Sequence, residues 1–424
     1  MLEATRNTTF EVRGTKVRRR ITKIALDSAI RWSLALLITL VLVGYPVAGA
    51  IAQILNLEST VTSYPFRGVV LVLSAGLTFA VLARQKYEIA VLVGIFFAAY
   101  TIRMIVDLEV GGYPEIETDI VYFLATVMAP TIAMGAGQYY NERITALLLT
   151  TIGAFACLMI LYGLQTSNIY SEEISFSTRA AFEALNPITI GYTGLYTVVG
   201  AYVLFLVSSL RTGVVVAIPA ILIGLTVLVV GGSRGPLVAG GLFLAIYAFT
   251  RTTGIFALIF VVFGAFMLFN IVGQDLAIVQ RFTDLSRDES IWTRIYVQEL
   301  SIDAALANPI FGSSYVEPIT LAYPHNLLIE SAMALGLFGF VLMAAIQIRL
   351  ALDAYYLLRN RFILVPFVAI AAITNAYISG SLYGSANIFV VAVLARIAFR
   401  INRDGEIATS SSALQRDLAK GGGG

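Results

Sequence analysis

Histidine occurs once in this chain of 424 residues, cysteine once and tryptophan twice. The single cysteine, Cys157, lies in an apolar run, which excludes an internal disulfide and a thiolate metal cluster and leaves a small packing residue. With His325 as the lone imidazole, a two-histidine metal site within one protomer is excluded, and no HExxH, GxGxxG or P-loop pattern is present. No metal and no cofactor is therefore expected. Charge is scarce as well, at 13% of residues where soluble domains carry about 25%. Lysine is limited to Lys16, Lys23, Lys86 and Lys420, and the basic residues are divided among short segments, a distribution that gives no footprint for nucleic acid.

What the chain has in abundance is apolar sequence: 58% hydrophobic residues and a mean hydropathy of +0.84. Runs long enough to cross a bilayer need about 20 residues each. Twelve candidate spans recur at roughly Ile30 to Leu55, Phe66 to Ala83, Ile89 to Val106, Ile120 to Ala136, Ile144 to Leu161, Ile188 to Val207, Val214 to Val230, Leu237 to Phe249, Ile255 to Val272, Leu327 to Ala345, Phe362 to Ile378 and Ile388 to Phe399. The expected fold is an all-α polytopic membrane protein of about 12 transmembrane helices, forming one transmembrane domain over 28–401. A basic amino-terminal segment, 1–27, precedes it and a disordered polar tail, 402–424, follows.

An even number of spans puts both termini on one side. Alternate assignment of the loops leaves all but seven of the 28 basic residues on that side, with all four lysines, which by the positive-inside rule is the cytoplasm. The seven on the outer face are all arginine: Arg67, Arg103, Arg179, Arg234, Arg281, Arg287 and Arg294. Guanidinium groups make bidentate contacts with phosphate, which a lysine point charge does not. The plain alternative is pairing with carboxylates such as Glu172, Glu173, Glu183, Asp284, Asp288 and Glu289.

Two outer loops are long. Tyr162 to Pro187 carries Arg179 and the turn Asn186-Pro187; 273–324 is the largest polar insertion. Within the second, Ile291 to Ala307 reads as an amphipathic helix lying along the membrane surface. Trp292, Tyr296, Leu300 and Ala304 recur every four residues, and Arg294 and Gln298 stack on another face. Asn308-Pro309 ends it. The loop then runs through Tyr323-Pro324-His325-Asn326 into the tenth span, with Glu330 in that span's first turn, where an intramembrane charge is costly unless paired or functional. A histidine at the water–membrane boundary has the pKa range of a general base, and its plain alternative is an interfacial or helix-capping residue. Between the seventh and eighth spans, Gly231-Gly232-Ser233-Arg234-Gly235 allows a tight turn and close backbone approach, holding Arg234 at the surface.

In order and spacing these pieces resemble the superfamily of O-antigen ligases and polysaccharide polymerases. The matching residues are Ser233-Arg234-Gly235, Arg294 in the long loop, Asn308-Pro309-Ile310-Phe311-Gly312, Pro324-His325-Asn326 followed by Gly336 and Gly339, and Asn186-Pro187-Ile188, all within about 179–345. Trp292 stands before Arg294 where relatives carry an aromatic after it, and Gly312-Ser313-Ser314 replaces a Gly-x-Gly. The resemblance implies a GT-C-like, metal-independent, inverting glycosyl transfer at the periplasmic face of a bacterial inner membrane. It makes His325 the catalytic base on an acceptor hydroxyl. Arg234 and Arg294, with Arg287, Arg281 and Arg179 as further candidates, would bind the departing diphosphate. Tyr323, Asn326 and Glu330 would support them. The donor would be an undecaprenyl-diphosphate-linked glycan and the acceptor a lipid-linked repeat unit (polymerase) or lipid A-core (ligase). Membrane lipids and a chain-length regulator would be further partners. From another functional class, a twelve-span solute transporter would place its ionisable residues near the bilayer midplane and show inverted repeats.

Overall fold

The computed structural model describes residues 24–83, 91–166, 185–209, 213–250 and 289–421, together with Ile255 and Ile259. Arg179, Arg281 and Arg287, most of the ninth apolar run, the greater part of the first long loop and residues 273–288 of the second lie outside them. Among the described residues the chain is helical, without a strand. The order is α1 (Ile24–Ile54), α2 (Ser59–Leu82), α3 (Val91–Val110), α4 (Ile116–Tyr139), α5 (Glu142–Thr166), α6 (Pro187–Val207), α7 (Gly213–Val230), α8 (Arg234–Thr250), α9 (Glu289–Ala307), α10 (Leu327–Arg359), α11 (Leu364–Ile378) and α12 (Ala386–Gly421). Eight of these, α1 to α7 and α10, are long and apolar enough to cross a membrane; α8 and α11 are apolar but shorter. The chain is thus a multi-pass membrane protein. The last helix continues to Gly421, across the tail whose composition favours disorder.

Helices approach closely where a side chain is missing. A Cβ on Gly194 of α6 would fall 2.6 Å from the Leu228 nitrogen of α7, and one on Gly231 would fall 2.9 Å from the Gly191 nitrogen. Without a hydrophobic driving force between helices in lipid, such close backbone contact is a main source of association. Other elements are fixed by polar caps. Glu142, at the start of α5, accepts from the backbone nitrogens of Ile363 (2.8 Å) and Leu364 (2.7 Å), satisfying donors at the start of α11.

The most consequential element is α10, which is broken at Gly336 (φ 65°, ψ −155°). A continuous helix would have Leu337 donate to Met333. Instead the turn after α9 enters the gap: Leu337 donates to the Pro309 carbonyl, and the Met333 carbonyl accepts from the Ser313 nitrogen, both at 2.7 Å. The turn is itself closed by Gly312 (φ 73°), which donates to the Asn308 carbonyl at 2.9 Å. Backbone groups freed in an apolar bundle must find partners, and the Leu337 N–H and the Met333 carbonyl find theirs in this turn. The two glycines are required twice over, by positive φ and by space: a Cβ on Gly312 would collide with the backbone of Ala334, and one on Gly336 with the backbone of Ile310. Gly336→Ala should therefore cost about 1–3 kcal/mol, the scale of local backbone strain, read as a lower unfolding midpoint in detergent. An unchanged midpoint would show that the break does not need the glycine.

Candidate active site

The break sets the direction of the short first segment of α10, and His325 stands immediately before it. Pro324 biases Tyr323 to an extended backbone, His325 takes a left-handed φ of 57°, and Asn326 returns to extended φ/ψ as the helix cap. The cap is Asn326: its Oδ1 accepts from Leu328 (3.0 Å) and Ile329 (3.3 Å), a role whose loss costs about 1 kcal/mol. His325 is relieved of that task, so the capping account of this histidine does not apply. A positive φ at a non-glycine residue persists only where its surroundings impose it. Here Gln298 of α9 donates to the Pro324 carbonyl at 3.0 Å, and the imidazole lies edge-on to Tyr323 with centroids 4.4 Å apart.

Arg294, one turn before Gln298 on α9, reaches the carboxyl-terminal end of α11, where its Nη1 donates to the Ile378 carbonyl at 2.7 Å. The polar stripe of α9 thus faces protein, while Trp292 and Tyr296 are exposed on the other side. Arg234 opens α8 after a turn in which Gly232 has φ 56°. Its neighbour Gly235 packs at the same end of α11: a Cβ there would lie 3.8 Å from Ile378 Cγ2 and from the Tyr192 hydroxyl. The Ile378–Ser379 turn is therefore the meeting point of the His325, Arg294 and Arg234 segments.

The electrostatics of His325 follow from this placement. Burial first, and the Arg294 charge second, lower its pKa to about 4, with the Ser379 backbone acting in the opposite sense. The ring is neutral at pH 7, and its Nδ1 is buried without a hydrogen-bond partner among the described residues. Tyr323 is raised above the usual phenol range by burial and by Glu330, against Arg294. Glu330 is fully buried. One carboxylate oxygen accepts from the Leu382 nitrogen at 2.9 Å, tying α10 to the loop that follows α11, and the other has no partner among the described residues.

Several residues of this region carry no motif. Tyr315 donates through its hydroxyl to Asp119 (3.1 Å) and through its backbone nitrogen to Asp107 (2.8 Å), which also forms an ion pair with Arg103. Two carboxylates near the ends of α3 and α4 thus meet this region, and Arg103 is neutralised by one of them. Tyr383 packs on Tyr323 (centroids 5.9 Å) and is raised by burial and Asp119. A cavity of about 200 Å³ adjoins the turn, lined by hydroxyls and amides from Asn186, Thr189, Tyr192, Asn375, Ser379 and Ser381. Buried carboxylates at span ends are a readable signal; the backbone contributions of Ile378 and Ser379 leave none in the sequence. No group of His, Cys, Asp and Glu among the described residues could hold a metal ion.

Compared with family models, curated proteins and solved structures, the chain matches none of them. The arrangement can hold a neutral imidazole and at least one guanidinium around a polar turn inside an apolar bundle. Replacing Arg294 by Gln removes one of the two depressing causes, so His325 should take up its proton nearer its ordinary pH of 6.5. The chain has one histidine, so its ring resonances in a labelled sample report this without assignment. The same depression makes folding stability full above pH 6.5 and declining as pH falls toward 4, more weakly in Arg294→Gln. Identical titrations would separate Arg294 from His325.

Proposed function

We propose that this protein transfers a glycan from a lipid diphosphate to an acceptor hydroxyl, as a GT-C-like, metal-independent glycosyltransferase of the bacterial inner membrane with its site toward the periplasm. The observation that carries the reading is the neutral His325, held at positive φ beside Arg294 on the turn where the Arg234 segment packs. A general base must be unprotonated at working pH and fixed in place. The acceptor hydroxyl attacks the anomeric carbon, the bond from that carbon to the diphosphate oxygen breaks with inversion, and the hydroxyl proton passes to His325. Arg294 and Arg234 stabilise the charge that accumulates on the departing diphosphate, which needs neutralisation rather than a covalent intermediate. The cavity beside Ser379 offers hydroxyl and amide groups of the kind that bind sugars. Glu330 anchors the loop that carries Tyr383. The donor is an undecaprenyl-diphosphate-linked glycan. The acceptor is a lipid-linked repeat unit in a polymerase, the reading preferred here, or lipid A-core in a ligase.

One observation favours a second reading. Transporters use broken helices with an ionisable residue nearby, and α10 is broken at Gly336 close to buried Glu330. Activity separates the two. With a lipid-linked repeat alone, the purified protein should give a ladder of products; product only on addition of lipid A-core would replace polymerase by ligase, and substrate flux without transfer would favour a transporter. His325→Ala should abolish transfer while the protein stays folded in the membrane. Arg234→Lys should lower it by about 10-fold or more, because a point charge does not reproduce the planar fork. Retained transfer in His325→Ala would refute the base.

A further inference from the structure

Arg67 is an outer arginine that the reading above does not use. It lies in the third turn of α2, two residues after Pro65, with its Cζ 3.3 Å from the ring centroid of Tyr122 on α4 and 5.7 Å from that of Tyr64. Stacking on aromatic faces leaves the in-plane N–H groups of a guanidinium free to bond elsewhere. Its Nη1 is buried and has no hydrogen-bond partner among the described residues. The guanidinium borders a cavity of about 250 Å³ between α1, α2, α4 and the start of α12. Phe66, Val70, Leu40 and Val41 supply apolar wall, and Tyr45 and Thr126 supply hydroxyls; among the described residues no carboxylate lines it.

Two further features mark this cavity. Both helices facing α2 widen into π-turns at its edge, Leu40–Gly44 in α1 and Phe123–Met128 in α4, and Leu40, Val41 and Thr126 from those turns line it. Such turns carry a local cost and recur at functional positions. The far wall is Tyr383, which packs on Tyr323, which packs on His325. The cavity thus ends two aromatic rings from the imidazole.

We propose that this cavity binds the phosphate of a second lipid-linked molecule, with Arg67 on the phosphate oxygens and the apolar wall on the start of a single polyprenyl chain. An arginine with no carboxylate beside it among the described residues, at the head of an apolar cavity between membrane helices, matches an anionic phosphate ester on a hydrocarbon chain. In so far as this molecule is the acceptor, the inference rests on the glycosyl-transfer reading and deepens it. The cavity admits the end of one chain rather than a multi-acyl lipid, so the acceptor is a lipid-linked repeat and the enzyme a polymerase. Tyr383 and Tyr323 then lie between the anchored phosphate and the base, where the acceptor sugar would extend.

Binding tests this without requiring transfer. The full chain in nanodiscs is titrated with farnesyl diphosphate and followed by native mass spectrometry. Wild type should hold two equivalents. Arg67→Gln should hold one, Arg67→Lys should bind the second at least 10-fold more weakly, and Thr126→Phe, which fills the cavity while keeping the arginine, should also lose it. Two equivalents retained in Arg67→Gln would overturn the proposal. So would equal occupancy by inorganic diphosphate alone, or displacement by phosphatidylglycerol at equal concentration, which would make this a free-phosphate or bulk-lipid site. If His325→Ala keeps transferring glycan while the Arg67-dependent equivalent persists, the base assignment fails and the lipid-phosphate site stands.

Discussion

The structure depends on a break in α10 that had to be repaired. In a bundle surrounded by lipid no water is at hand to take the N–H of Leu337 or the carbonyl of Met333, so the interrupted helix exists only because the turn from Pro309 to Ser313 supplies one acceptor and one donor. That repair joins the loop carrying Arg294 and Gln298 to the helix that follows His325. Arg294 fixes on Ile378, Gln298 fixes on Pro324, and Glu330 fixes on Leu382, so α9, α10 and the end of α11 hold one another in register. Geometry of this kind keeps the Arg294 charge close to the neutral imidazole of His325.

Much of the architecture was legible in the sequence, because a membrane span announces itself by length and apolarity alone. Most apolar runs coincide with described helices, although α10 and α12 run on well past Ala345 and Phe399, and the amphipathic α9, from Glu289 to Ala307, lies close to the bounds read from periodicity. Which way α9 turns was not legible. A four-residue recurrence identifies a stripe but not its neighbour, and in lipid the aromatic stripe of Trp292 and Tyr296 is the one left outside while Arg294 and Gln298 face protein. The break at Gly336 was also invisible, since a glycine in an apolar run is compatible with an unbroken helix.

The candidate site divides in the same way. His325 stood out because it is the only imidazole, and Asn326 supplied the cap that a lone histidine might otherwise be assigned. The carboxylates Asp107 and Asp119 and the rings of Tyr315 and Tyr383 come from span ends far apart in the chain, and only the folded bundle brings them to Tyr323. Ile378 and Ser379 act through main-chain atoms, which every residue possesses. Arg103, counted among the outer arginines by topology, turns out to be occupied by Asp107, whereas Arg67 has no carboxylate at its cavity among the described residues.

The shortness of α11 sets a depth. Its 15 residues span about 22 Å at 1.5 Å each, against a hydrocarbon thickness of about 30 Å. Its first turn is held by Glu142, in a region where Arg143, Arg359 and Arg361 mark the water boundary. Measured from there, the Ile378–Ser379 turn falls about 8 Å short of the opposite boundary. The segments of His325, Arg294 and Arg234 that meet at this turn are thus sunk below the membrane surface. On the glycosyl-transfer reading proposed above, a lipid-linked substrate would reach this turn from the side, along the bilayer, with its own hydrocarbon chain as the guide.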